Sequence, residues 1–170
     1  MDVRELLVRS PFFGGLDDEA VEQILGMLKA RSCPAGQTIF REGELGRSMY
    51  IVSSGDLVVG RTAESGRLIR LMHLGPGDVM GETTLIEMQP RSTTVLVVQP
   101  AVLHELTNAN LYALHEKNLP AYVMVLQNIN RELCRRLRKE EHHITAVADE
   151  SEDETTQIRT RAEILGDEEL

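Results

Sequence analysis

The chain has 170 residues and a mass of 19.0 kDa, room for one domain with an appendage and too little for two full domains. Apolar residues make up 42% and charged residues 26%, an ordinary globular mixture, and no run of about 18 apolar residues appears, which argues against a membrane-spanning helix. The net charge of -9 sits at one end: residues 147–170 carry nine acids against Arg159 and Arg161, a charge of -7 that leaves -2 for residues 1–146. The opening Met1-Asp2-Val3-Arg4-Glu5 lacks the pattern of a signal peptide. Cys33 and Cys134 stand in no metal-binding spacing and read as reduced thiols of a cytoplasmic protein.

Asp17 is placed to cap a helix, with Asp18 and Glu19 in its positive first turn. Val21, Ile24, Leu25 and Leu28 then share one face, and Lys29 and Arg31 are expected to close the end before Pro34-Ala35-Gly36 breaks it. From there to Leu106 the period becomes that of short strands: Thr38–Arg41, Met49–Val52, Leu57–Gly60, Leu68–Met72, Ser92–Val98 and Ala101–Leu106, split by glycine turns. Short, closely spaced strands with glycine between them predict a mainly β domain, a sandwich or jelly roll, rather than a parallel sheet.

After Leu106 the helical period returns. Thr107–Glu116 reads as a short helix, and Pro120 is suited to the first position of a long one, where its missing N–H is not needed. Leu119, Tyr122, Leu126, Ile129, Leu133 and Leu137 step by three or four residues, close to a coiled-coil seam, which points to a homodimer through this helix. The expected organisation is therefore a body over 1–119, a long helix over 120–146, and an acidic, disordered tail over 147–170.

The chemistry concentrates in Gly77-Asp78-Val79-Met80-Gly81-Glu82-Thr83-Thr84-Leu85, followed by Pro90-Arg91-Ser92-Thr93-Thr94-Val95. A strand ends at a glycine, a helical turn follows, and Pro90 stops it just before an arginine. The start of such a turn offers free N–H groups and partial positive charge, which suits a phosphate. Arg91 adds a full charge on a planar fork that can grip two phosphate oxygens. Glu82, an acceptor only when ionised, suits a sugar hydroxyl instead. One phosphate and one ribose held by adjacent groups describe a nucleotide monophosphate.

This segment resembles the phosphate-binding cassette of the cyclic nucleotide-binding domains. The resemblance extends upstream through Pro11-Phe12-Phe13, Gly36…Ile39-Phe40…Glu42-Gly43, Met49-Tyr50-Ile51-Val52…Ser54-Gly55 and Leu74-Gly75-Pro76-Gly77-Asp78. It implies an eight-stranded β-roll with N-terminal helices and a long C-terminal helix. It also implies a cyclic AMP or cyclic GMP ligand, with no cofactor and no metal. By that resemblance Glu82 binds the ribose 2′-hydroxyl, Arg91 the cyclic phosphate and Ser92 adds a hydroxyl. Gly81, Thr83, Thr84, Leu85 and Thr93 complete the site, Gly81, Thr84 and Leu85 mainly through backbone groups. Thr83 stands where a large apolar residue is frequent, and Thr84 where Ala or Ser is usual.

Among regulators the body most resembles the catabolite-activator type, which places a helix-turn-helix domain after the long helix. Here an acidic tail follows instead, and the basic run Arg131, Arg135, Arg136, Arg138 and Lys139 is interleaved with Glu132, Glu140 and Glu141, so direct DNA binding is not expected. Aligning Arg135-Arg136-Leu137 with that type puts Glu140-Glu141 near the base, where a carboxylate accepts the two parallel donors of guanine better than adenine's mixed edge. His73, His104 and His115 are isolated, and no catalytic triad or metal set assembles from the sequence. The expectation is a non-enzymatic, stand-alone cytoplasmic sensor that signals to a protein partner by moving its C-terminal helix. The alternatives are a roll that serves as an interaction scaffold without nucleotide, and a regulator lacking its own DNA-binding domain.

Overall fold

The computed structural model describes residues 2–87 and 89–166, and the side chains of residues 2–87, 89–142 and Thr145. The chain opens with two short helices, α1 (Val3–Arg9) and α2 (Asp18–Leu25). Asp17 caps α2 as the sequence predicts, its carboxylate accepting from the Ala20 N–H at 2.8 Å. Leu6, Leu7, Val21 and Ile24 are buried, each such side chain worth roughly 1.5–3 kcal/mol. Arg4 bridges the helices to Asp18 (2.8 Å) and Glu22 (3.0 Å), an exposed pairing that orients more than it stabilises. Helix α2 stops at Gly26, short of the predicted end. Lys29 and Arg31 lie instead in β1 (Lys29–Cys33), which pairs antiparallel with Ala101–Glu105. The positive charges that suggested a helix end lie in an edge strand, on the face that leads to the buried Cys33.

The remaining strands are β2 (Thr38–Phe40), β3 (Ser48–Thr62), β4 (Leu68–Leu74), β5 (Val79–Met80) and β6 (Thr94–Thr107), all paired antiparallel. The mainly β fold with flanking helices is the expected one. The eight arms expected of the roll are carried by six continuous strands, because β3 and β6 are each long and each interrupted. Their pairing runs from Ser48 opposite Thr107 to Gly60 opposite Thr94, and its register slips between Val52 and Leu57, where Gly55 faces the Pro100 region. The predicted pairs Met49–Val52 with Leu57–Gly60, and Ser92–Val98 with Ala101–Leu106, are the two arms of these strands. Tyr50, Val52, Leu57, Val97, Ala101 and Leu103 meet in the core between them.

Helix α3 (Asn108–Lys117) begins in a capping box, Thr107 accepting from the Asn110 N–H while the Asn110 side chain accepts from the Thr107 N–H. Helix α4 (Leu119–Gly166) follows at once. Asn118 serves both helices: its N–H reaches the Leu114 carbonyl at 2.7 Å, and its side-chain oxygen accepts from the Ala121 N–H at 3.1 Å. The helix starts one residue before Pro120 and continues past the predicted end near residue 146, since neither Gly nor Pro occurs between Pro120 and Gly166. Helical backbone therefore extends through most of the acidic stretch read as disordered; Asp167, Glu168 and Glu169 lie outside the described residues.

Two compact units divide within α4, Met1–Ile129 and Asn130–Leu170. In the first, Ala121, Val125 and Ile129 are buried, and the Asn128 amide donates to the carbonyls of Phe12 (3.3 Å) and Gly14 (2.8 Å). Ile129, which the heptad pattern placed in an intermolecular seam, is thus a core residue of its own domain. In the second unit Leu137 is exposed, and Glu132 holds Arg135 at 2.8 Å and Arg136 at 3.9 Å. No helix among the described residues is long and apolar enough to cross a membrane.

The register slip in β3 depends on Gly55, whose φ is +98° and where a Cβ would lie 2.5 Å from the Ala101 Cα. Gly55→Ala is expected to lower the unfolding free energy by about 3 kcal/mol through backbone strain and overpacking. Urea titration should show the midpoint falling with the slope unchanged.

Candidate functional site

Strand β5 pairs with Tyr50 and Ile51 and delivers the chain to Gly81, whose φ of +75° turns it into a 3-10 turn over Glu82–Leu85. The Thr84 hydroxyl donates back to the Gly81 carbonyl at 2.8 Å and closes the turn. Glu82 and Thr84 are buried, while Thr83 and Leu85 are half-exposed. Facing this turn is the loop between β2 and β3. The Arg91 N–H donates to the Glu44 carbonyl and the Gly43 N–H to the Arg91 carbonyl, both at 2.8 Å, so the backbone around Arg91 is held along this loop.

Glu42 anchors the loop. Its carboxylate accepts from Arg61 (3.1 and 3.2 Å) and from the Thr62 N–H (3.0 Å), and its own N–H donates to Thr94 Oγ1. The Thr62 N–H, then Arg61, hold this carboxyl below the usual carboxylate range.

The Arg91 side chain points into the domain and is 6% exposed. Nη1 donates to the Gly81 carbonyl (3.1 Å) and to Thr84 Oγ1 (3.2 Å), and Nη2 to the Ser48 carbonyl (2.6 Å). The guanidinium carbon lies 4.1 Å above the centre of the Phe40 ring. Nε is buried with no acceptor. Arg91 forms no ion pair with a carboxylate among the described residues; burial pulls its pKa down, opposed by the fields of Tyr50, Glu82, Glu44 and Glu105. A buried cation held only by neutral acceptors, with one N–H left over, is an incomplete arrangement: ions removed from water normally have a partner of opposite charge.

Of the residues singled out in the sequence, Gly81, Thr84 and Arg91 are in direct contact, and Glu82 is buried within the field of Arg91. Ser92 is exposed and Thr93 half-exposed where the chain leaves Arg91 for β6. The sequence did not reveal Ser48, Phe40, Gly46 or Asn108 as parts of the site. Ser48 acts through a carbonyl, which no residue type announces. Gly46 carries a signal in retrospect, since a Cβ there would lie 2.5 Å from Arg91 Nε. Among the described residues no three His, Cys, Asp or Glu side chains gather as a metal site.

Residues 30–118 match the family model described as the cyclic nucleotide-binding domain. The chain belongs to that family. It is 36% identical over 130 residues to the cyclic AMP receptor protein of Thermus thermophilus, covering 76% of this chain and 58% of that protein. It is 35% identical over 94 residues to the cAMP-dependent protein kinase regulatory subunit of Yarrowia lipolytica, covering 55% of this chain and 24% of that one. Among solved structures, the Thermus thermophilus catabolite activator protein superposes with a TM-score of 0.72 at 34% identity, covering 82% of this chain and 63% of that one. The regulatory domain of Toxoplasma gondii PKA with cAMP superposes at 0.62 and 30% identity, covering 65% and 42%. The chain thus spans less than two-thirds of these relatives. Their names describe receptors and regulatory subunits rather than catalysts.

The Glu42 anchor generates a pH-dependent expectation. A carboxyl with a lowered folded-state pKa contributes stability that is present above its unfolded value and lost as pH falls through the folded one. Glu42→Gln should therefore melt below the parent at pH 7, and the difference should shrink as the pH is taken down through the carboxylate range. Thermal melts of both proteins from pH 7 to pH 3 measure it; a gap that stays constant would remove the carboxylate from the loop anchor.

Proposed function

We propose that this cyclic nucleotide-binding domain binds cyclic AMP, with cyclic GMP as the competing ligand, and acts as a non-enzymatic cytoplasmic sensor. The observation that carries the reading is the buried Arg91 guanidinium with an unpaired Nε and no carboxylate partner. In the bound state a cyclic phosphate supplies the opposite charge in exchange for part of the guanidinium's hold on its neutral acceptors, where water is already excluded and a charge-assisted contact is strongest. Glu82 accepts from the ribose 2′-hydroxyl, and Ser92 adds its hydroxyl at the phosphate. Gly81, Thr84 and Leu85 contribute backbone groups, with Thr83 and Thr93 at the margins of the site.

The signal leaves through the C-terminal helix. A ligand shifts a protein between states only by binding them unequally, and α4 is the element whose position the nucleotide is proposed to select. Leu126 and Leu133 form the centre of a seam between two copies, and the output surface engages a protein partner rather than DNA.

Arg91→Ala should remove nucleotide binding, at a cost of about 2–5 kcal/mol for truncating one side of a buried charge pair, with the fold retained. Glu82→Ala should cost less, because the ribose hydroxyl is neutral. Calorimetry with cyclic AMP and cyclic GMP on the parent and both variants tests this, and an Arg91 variant that binds like the parent would sink the assignment.

The seam has a separate test. Replacing Leu126 and Leu133 with Glu places like charges against their symmetry mates, so sedimentation should show a monomer with the β-rich spectrum intact. A variant that stays dimeric puts the contact elsewhere.

A further inference from the structure

Asn108, the first residue of α3, has a buried side-chain amide whose two ends fare differently. Nδ2 donates to the Thr84 carbonyl at 3.1 Å, while Oδ1 is buried with no donor reaching it. Its backbone N–H donates to the Arg47 carbonyl at 2.9 Å. The same two segments are also held by Arg91, which donates to the carbonyl of Ser48 and to the hydroxyl of Thr84. Arg91 and Asn108 therefore both hold Thr84 and the consecutive carbonyls of Arg47 and Ser48, and these positions close into a ring of hydrogen bonds.

The unpaired Oδ1 gives this ring its meaning. A buried acceptor without a donor is destabilising, and an apolar side chain in its place leaves no such group behind. Helix α3 does not need the amide either, because Thr107 and Asn110 already form its capping box. What the amide alone supplies is the hydrogen bond to the backbone of the 3-10 turn.

We propose that Asn108 is a positioning residue for nucleotide recognition, tying the anion-binding turn to the first turn of α3 through the Thr84 carbonyl; this rests on the nucleotide reading above. When Arg91 exchanges part of its hold on Gly81, Thr84 and Ser48 for a phosphate, the turn and the 47–48 peptide shift, and Asn108 carries the shift into α3. The amide thus both sets the affinity of the turn for its ligand and reports its occupancy.

The test uses the full chain, cyclic AMP as probe, and two variants. Asn108→Ala removes the donor together with the orphan oxygen, and Asn108→Asp keeps the shape, suits a helix start and removes the donor. Calorimetry is expected to show affinity falling about three- to tenfold in both, the scale of one lost neutral hydrogen bond. Amide exchange is the decisive readout: cyclic AMP should slow exchange in both the 81–91 segment and 108–117 of the parent, but only in 81–91 of the variants. A merely structural Asn108 would change melting temperature and leave the ligand-induced protection of α3 as in the parent, and that result overturns the proposal. A parent that binds cyclic AMP without any protection in α3 also overturns it, whereas a parent that binds neither cyclic nucleotide overturns the nucleotide reading itself.

Discussion

The structure is organised around a buried cation whose hydrogen bonds all go to neutral acceptors. Taking a guanidinium out of water costs several kcal/mol unless charge or hydrogen bonds replace the solvent, and Arg91 is given three neutral acceptors and an aromatic face. Each support comes from a different part of the chain: Ser48 from the start of β3, Gly81 and Thr84 from the turn after β5, Phe40 from the end of β2. Loop, turn and strand are thereby fixed relative to one another by a single side chain.

Around that centre the rest of the first unit acts as support. Glu42 fixes the loop to the end of β3, and β5 fixes the start of the turn to Tyr50 and Ile51. The interruption of β3 and β6 at Gly55 and Pro100 lets two long strands supply four arms of the roll. The early turns of α4 bury Ala121, Val125 and Ile129 and, through Asn128, hold the Phe12–Gly14 segment. The domain thus ends within a helix rather than at a loop.

Much of this was legible in the sequence because its signals are local. The alternation of the strands, the Asp17 cap and the Gly-Glu…Pro-Arg spacing each depend on a few neighbouring residues. What escaped depends on distant partners. Strand β1 reads as a helix end because Lys29 and Arg31 are placed by pairing with residues more than seventy positions away. Ile129 fits a heptad equally well whether the facing surface is a second copy or its own core, and the core holds it. Ser48 and Asn108 enter the site through a carbonyl and a single amide contact, for which sequence carries no mark. The expectation of disorder rests on acidity alone, whereas residues 121–165 contain no Gly or Pro and the helical backbone of α4 continues through them.

The sheet also fixes the order in which the protein can come together during synthesis. Strands β1, β2 and β3 all pair with β6, the last strand in the chain. Until Thr107 has left the ribosome, β1 and β2 lack their ladder partner and β3 has only β4 and β5 beside it. Contacts this distant in sequence close slowly, since the intervening chain must surrender its freedom first. On a translating ribosome the nascent roll is therefore a β3–β4–β5 piece with β1 and β2 unplaced, and it closes only when β6 arrives.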